Sequence, residues 1–123
     1  MSKRLLVSVV DDDESVRESL PDLVRLLGYD VQAFSTGQEF LSSAYLCETR
    51  CLILDISMPG MSGPDIQQEL KRRGSTIPII FITALKDDAV KLRVVELGAV
   101  DCLFKPFSDA ALQKALGHAM PVP

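Results

Sequence analysis

The stretch IPIIFIT, residues 77–83, decides the fold class, because it is almost unbroken in its apolar and β-branched character. A strand that is apolar on both sides must be covered on both faces, as strands inside parallel sheets are. Four further runs of this kind lie along the chain: LLVSVV (5–10), VQAFS (31–35), CLILD (51–55) and VDCLF (100–104). The chain is therefore predicted to contain five strands.

Between these strands, apolar residues recur at helical spacing and predict five helices. The predicted core-facing residues are Val16, Leu20, Leu23 and Leu27 in helix one; Phe40, Leu41 and Ala44 in helix two; Ile66 and Leu70 in helix three; Val90, Val94 and Leu97 in helix four; and Leu112, Ala115, Leu116 and Ala119 in helix five. Pro21 lies inside helix one, and we expect it to kink that helix or loosen its first turns.

Start and stop signals bound the predicted helices. Ser35 or Thr36, followed by Gln38 or Glu39, forms a capping-box pattern for helix two, Ser62 and Asp65 form one for helix three, and Ser108 precedes helix five. Gly28, Gly74 and Gly98 are the predicted stops of helices one, three and four. Helix four is expected over about residues 87–97.

The alternation of strands and helices predicts an α/β fold, a doubly wound parallel sheet with helices on both faces. In such sheets, ligands bind at the carboxyl ends of the strands, near the point where the strand order reverses. The acids at 11–13 and Asp55 follow strands one and three. We therefore expect these carboxylates to meet at one site.

The composition excludes several classes of function. A chain of 123 residues with 47% hydrophobic and 24% charged residues fits one soluble domain. A net charge of −4 argues against a nucleic-acid interface, and the apolar runs are too short to span a bilayer. Without a signal-peptide pattern at the start, a cytoplasmic protein is expected. Cys47, Cys51 and Cys102 are then predicted to be reduced core thiols, and His118 a solvated residue near a helix end.

The strand-end acids predict a site for a cation and a phosphoryl group. Carboxylates on a short loop are the hard oxygen ligands that suit Mg²⁺. Thr83 ends strand four with a hydroxyl, and Lys105 follows strand five with an ammonium group. This combination is complementary to a phosphoryl group, whose transfer depends on positioning and charge neutralisation. Asp55 is the candidate nucleophile, because an Asp carboxylate can form an acyl phosphate.

The motifs VVDDDE, LILDISMPGMSG, IIFITA and LFKPF, in this order, resemble the receiver domain of two-component response regulators. The sequences of these motifs are most similar to those of the FixJ branch, whose members usually carry a C-terminal helix-turn-helix DNA-binding domain of the LuxR type. The resemblance covers residues 1–123 as one receiver domain and implies a flavodoxin-like sheet of order 2-1-3-4-5 with five helices. Whether a DNA-binding domain follows the chain stays open.

The resemblance also implies roles for the strand-end residues. Asp55 would accept a phosphoryl group from a phosphohistidine on a sensor histidine kinase. Mg²⁺, or Mn²⁺ in its place, would be bound by Asp12, Asp55 and the main-chain carbonyl of Ser57, with Asp11 acting through water. Thr83 and Lys105 would contact the phosphoryl group, while Pro59, Gly63 and Pro106 shape the loops, with a cis peptide bond expected before Pro106. Asp13 is interpreted as a peripheral charge.

The chain departs from the family at Cys102, where an aromatic switch residue is usual. Phe104 shares the side of Cys102 by strand alternation and is a candidate substitute. We expect a homodimer on phosphorylation through helix four, strand five and helix five. Leu92 lies opposite the core-facing stripe of helix four, so we expect it to be exposed and to lie in a phosphorylation-dependent dimer or effector contact. The kinase is expected to dock on helix one and the loop after strand five. Neither a membrane nor direct nucleic-acid contact by this domain is expected.

Three alternatives stay open at this point. A phosphohydrolase of the haloacid dehalogenase type would use Asp11 and Asp13 as its first motif, but it needs an acidic pair after Lys105, where only Asp109 is found. A flavin-binding module would need a loop that accepts phosphate, which the three aspartates oppose. A receiver without phosphorylation would act as a constitutive protein-binding module.

Overall fold

The structure is a computed structural model that describes residues 4–120, and its five strands form one parallel sheet of order β2-β1-β3-β4-β5. The strands are β1 (Leu6–Val10), β2 (Asp30–Phe34), β3 (Thr49–Asp55), β4 (Ile79–Thr83) and β5 (Asp101–Phe104). The helices are α1 (Glu14–Leu26), α2 (Gly37–Leu41), α3 (Gly63–Arg72), α4 (Asp88–Glu96) and α5 (Asp109–Ala119). The predicted fold class and strand order are confirmed, while residues 1–3 and 121–123 of the predicted domain lie outside the described residues.

The sheet separates two apolar layers, because successive side chains of a strand point to opposite faces. On one face Cys51 and Ile53 of β3 pack with α1 and α5. On the other face Leu52 and Leu54 pack with α2, α3 and α4. Because β3 is buried on both sides, its residues 51–54 are all apolar. Among residues 4–120, no helix combines the length and the apolar character needed to cross a membrane.

The predicted helix signals are largely confirmed. Thr36 caps α2 and accepts from the Glu39 amide, and Ser62 with Asp65 forms a complete capping box on α3. Ser108 caps α5. The three predicted stop glycines, Gly28, Gly74 and Gly98, all have positive φ. Helix α1 runs without a break through Pro21, which is buried.

Three predicted burials are wrong. Ala44 is exposed because α2 ends at Leu41, so that Ala44 no longer follows the helical stripe. Leu97 is 44% exposed because α4 ends at Glu96 and Leu97 is only its cap. Cys47 lies exposed on a short 3₁₀ turn before β3, whereas Cys51 and Cys102 are buried free thiols as predicted. His118 is exposed in the last turn of α5, as expected.

The strand register places the site at one edge. Val10 lies beside Leu54, and Thr83 lies beside Phe104. The strands β1, β3, β4 and β5 therefore end at nearly the same level of the sheet. The residues that end or follow these strands are held close together by the sheet itself.

Candidate functional site

Three carboxylates meet at the carboxyl edge of the sheet. One oxygen from each of Asp11, Asp12 and Asp55 lies within 4.8 Å of the others. Asp11 is fully buried, Asp55 is 6% exposed and Asp12 is exposed. Like charges at this separation repel one another, so the cluster favours a bound cation or proton. Its ligand atoms are hard oxygens and one of them faces solvent, which fits Mg²⁺.

Lys105 supplies the cation within the protein. Its Nζ lies 2.9 Å from Oδ2 of Asp11 and 3.9 Å from Oδ1 of Asp55. The Lys105 amide donates to the carbonyl of Thr83 at 2.8 Å, and its bond to Pro106 is cis, as expected. The side chain is thereby held over the site from the loop after β5. One ammonium group cannot neutralise three carboxylates, so the cluster keeps an excess of negative charge.

The backbone and side chain of Asp11 are held on every side. Its amide donates to the carbonyl of Phe34 at 3.1 Å, and its Oδ1 accepts from the Asp13 amide at 2.9 Å. Its carbonyl accepts from Nη1 of Arg17 at 2.9 Å. Together with the ion pair to Lys105, these contacts fix the buried acid in one orientation.

The pKa of Asp55 is raised to about 7. Burial is the largest cause, and the charge of Asp11 raises the pKa further. The ammonium of Lys105 and the amide of Ser57 act in the opposite direction. At neutral pH a proton and a metal cation would therefore compete for Asp55.

Thr83 presents its hydroxyl at the end of β4. The residue is 1% exposed, and its Oγ1 accepts from the amide of Leu85 at 3.1 Å. Accepting this bond does not use the hydroxyl proton, so Thr83 keeps a donor at the edge of the site.

The loop after Asp55 depends on Gly63. Its amide donates to the carbonyl of Ile56 at 2.9 Å, where α3 begins against the end of β3. A Cβ at this position would lie 2.5 Å from the Asp55 carbonyl oxygen and 2.8 Å from Cε1 of Phe81. Only glycine allows this close approach. Ser57 and Pro59 are exposed in the same loop.

The family model described as the response regulator receiver domain matches residues 7–117. The chain belongs to the response regulator receiver family. This membership sets aside the phosphohydrolase and the flavin-binding module, because both alternatives come from other families.

Several known proteins are similar to this chain over most of its length. Nodulation protein W of Bradyrhizobium diazoefficiens is 46% identical over 115 residues, which are 94% of this chain and 51% of that protein. Transcriptional regulatory protein FixJ of Azorhizobium caulinodans is 37% identical over 116 residues, with coverages of 94% and 55%. The solved structure of FixJ-N has a TM-score of 0.84 at 32% identity and covers 100% of this chain and 99% of that one. The predicted likeness to FixJ is confirmed, and the chain spans about half the length of these curated relatives.

Other predicted residues of the receiver domain lie away from the acidic cluster. Cys102 is buried in the apolar layer that contains Val94 of α4. Phe104 is half-buried, with Nζ of Lys91 at 5.5 Å from its ring centre, so it faces α4 as strand alternation predicts. Leu92 is 61% exposed on α4, as expected.

An apolar groove borders the receiver site on its other side. It has a volume of about 490 Å³ and is lined by Val16, Leu20 and Leu23 of α1 together with Pro106 and Phe107. Lys105, whose ammonium group pairs with Asp11, also lines the groove.

Sequence reasoning missed two residues that support the receiver site. Asp13 is the N-cap of α1 and accepts from the Ser15 amide, and this role was readable from an acid just before a helical stripe. Arg17 was missed because its partner is a main-chain carbonyl, which leaves no pattern of side chains in the sequence.

Proposed function

We propose that this receiver domain accepts a phosphoryl group on Asp55 from a sensor histidine kinase, in a reaction that depends on Mg²⁺. The observation that supports it is the buried Asp55 carboxylate beside two further carboxylates and the Lys105 ammonium. The phosphorylated domain then changes conformation and controls an output, which we infer to be transcription. The name of the relative FixJ supports that output.

The chemical step uses Asp55 as the nucleophile. A carboxylate oxygen of Asp55 attacks the phosphorus of the phosphohistidine, a P–O bond forms and the P–N bond breaks. The electron pair passes to the imidazole nitrogen, which then takes a proton. Asp12, Asp55 and the Ser57 carbonyl would hold Mg²⁺ or Mn²⁺, with Asp11 acting through water. The cation would neutralise the charge of the transferring group.

Lys105 and Thr83 bind the product in this proposal. Phosphorylation adds a charge of about −1.5 to −2 at pH 7. Lys105 is already 3.9 Å from Asp55, so a small movement brings its ammonium to a phosphoryl oxygen. Thr83 has its hydroxyl proton available as a second donor. These contacts would draw the loops after β4 and β5 together and shift a pre-existing equilibrium.

The switch cannot use a ring at position 102, because this residue is Cys102. Phe104 faces the same helix and carries part of the role in this proposal. Pro59, Gly63 and Pro106 keep the surrounding loops in shape.

The partners follow from the surfaces beside the site. The apolar groove on α1 and the loop after β5 is the proposed docking surface for the sensor kinase, because Lys105 of the site is one of its lining residues. The proposed homodimer forms through α4, β5 and α5, with Leu92 in the contact. DNA would be reached only through a C-terminal effector domain beyond residues 1–123, and the protein would act in the cytoplasm.

Intact mass after incubation with acetyl phosphate, with and without Mg²⁺, tests the proposal. We expect a gain of one phosphoryl group that needs Mg²⁺, is lost in Asp55→Asn and is slowed in Asp11→Asn. Asp30→Asn, at an exposed position at the opposite end of the sheet, is the matched control and should behave like wild type. No gain in folded wild type would contradict the proposal and favour a phosphorylation-independent binding module.

A further inference from the structure

Arg17 contacts the main chain of the acidic cluster, and the proposed function gives this residue no role of its own. It lies at the start of α1 and is half-buried, and its Nη1 donates to the carbonyl oxygen of Asp11 at 2.9 Å. We propose that Arg17 is a positioning residue that orients Asp12 for cation binding. This inference rests on the proposed function, since it assumes that the cluster binds Mg²⁺.

The reason lies in the peptide unit between Asp11 and Asp12. The Asp11 carbonyl and the Asp12 amide share one plane, so a bond that fixes the carbonyl also fixes the direction in which Asp12 leaves the strand. Among residues 4–120, no hydrogen bond or ion pair engages the Asp12 carboxylate, whereas the Asp11 carboxylate is held by Lys105 and by the Asp13 amide. The backbone therefore sets the direction in which the Asp12 side chain leaves the main chain, and Arg17 holds that backbone.

An arginine suits this task. Its charged N–H groups make stronger hydrogen bonds to a carbonyl than neutral donors do. Because Arg17 belongs to α1, its hydrogen bond joins this helix to Asp11, the residue of the acidic cluster that directly follows β1. A lysine offers a compact ammonium with rotatable donors and can restore one hydrogen bond without the planar fork.

The test compares wild type, Arg17→Ala and Arg17→Lys, with Arg25→Ala as the matched control. Arg25 lies on the same helix and pairs with Asp22 at the surface. Calorimetric titration with Mg²⁺ gives the affinity of each protein, and NMR of the metal-free proteins gives the Asp11 carbonyl and Asp12 amide shifts. Circular dichroism verifies that each variant is folded.

We expect Arg17→Ala to lose about tenfold in Mg²⁺ affinity, as residues behind metal ligands often do. The Asp11 carbonyl and Asp12 amide shifts should move in Arg17→Ala, return part of the way in Arg17→Lys and stay in place in Arg25→Ala. Phosphorylation by acetyl phosphate should be slowed at low Mg²⁺ and recover at saturating Mg²⁺, because the affinity and not the chemical step is affected.

Three results would overturn the inference. A folded Arg17→Ala protein with wild-type affinity contradicts it while the proposed function stands. Weaker binding with unmoved Asp11 and Asp12 shifts contradicts the positioning role, since Arg17 would then act by another route. A wild-type protein that neither binds Mg²⁺ nor gains a phosphoryl group contradicts both this inference and the proposed function.

Discussion

At the scale of single residues, Asp55 is a carboxyl whose charge the fold disfavours. Burial and the neighbouring acid Asp11 raise its pKa from 3.8 to about 7. Between these two values the folded protein holds a proton that the unfolded chain has lost. Stability therefore falls as the pH rises through this window, by up to about 4 kcal/mol in the metal-free protein.

Removal of this charge should stabilise the metal-free domain. We expect Asp55→Asn to need more urea for unfolding than wild type at pH 8 with a chelator present, because the amide carries no charge to bury. The difference should shrink as the pH falls through this window, and it should vanish below 3.8, where Asp55 becomes protonated in both states. Urea titration followed by circular dichroism measures it. Equal midpoints at pH 8, with Asp30→Asn as the exposed control, would contradict the assigned pKa.

Gly63 carries a steric requirement that can be tested with a second glycine. Gly63→Ala would place a methyl group against the Asp55 carbonyl and Phe81, and we expect a loss of about 1–3 kcal/mol with slower phosphorylation. Gly117 of α5 has nothing within 4 Å of an added Cβ, so Gly117→Ala should be neutral or stabilising by up to about 1 kcal/mol. Thermal unfolding of both variants checks the pair. Similar stabilities in the two variants would show that the close approach at Gly63 does not contribute to the stability of the fold.

At the scale of elements, α4 contributes little to the core and exposes apolar side chains. Val94 is its buried residue, while Leu92 and Val95 are exposed. The ammonium of Lys91 lies 3.9 Å from Asp101 and close to the Phe104 ring, so charged and aromatic contacts join α4 to β5. An element held this way can move with modest loss of buried area, as the proposed switch requires.

The proposed dimer surface predicts a selective effect of Leu92→Asp. We expect this variant to gain a phosphoryl group at the wild-type rate but to remain monomeric, because a charge would be buried in the contact. Leu26 is 85% exposed on α1, and Leu26→Asp is the control that should still dimerise. Sedimentation velocity with and without acetyl phosphate measures the outcome. Dimers of phosphorylated Leu92→Asp would place the contact elsewhere.

At the scale of the whole molecule, cation binding and folding are linked through the acidic cluster. The site combines Asp11 and Asp12, which follow β1, with Asp55 at the end of β3 and with Lys105, and it exists only in the folded chain. A ligand that binds only the folded state raises stability by about 2.7 kcal/mol at a concentration one hundred times its Kd. Because a proton competes for Asp55, this gain depends on pH.

Mg²⁺ should therefore raise the Tm more at pH 8 than at pH 6. At the lower pH, Asp55 is mostly protonated and must lose its proton before it binds the cation. Asp12→Asn should lose most of the gain at both values, since it removes one of the three carboxylates. Thermal scans over a Mg²⁺ series give the result. A larger shift at pH 6 than at pH 8 would contradict the competition.

The sequence by itself determined the five strands, the helix caps at Ser62 and Ser108, and the strand-end positions of the acids, and it narrowed the cap of α2 to Ser35 or Thr36. These features depend on the local periodicity of apolar residues, on capping residues next to each helix, and on the rule that the carboxyl ends of parallel strands lie at one edge of the sheet. For the same reason, the candidate site could be predicted as a set of residues. The resemblance to the receiver family then supplied the strand order and the proposed role of each residue.

Only the tertiary structure decided the contacts inside that set. The pairing of Lys105 with Asp11 joins residues 94 positions apart, and the contact of Arg17 with a main-chain oxygen leaves no trace in side-chain patterns. The exposure of Ala44 and Leu97 depends on the residue at which each helix ends. The burial of a group is set by what packs around it in three dimensions, and the pKa of Asp55 depends on that burial. The linear order of residues does not specify these contacts.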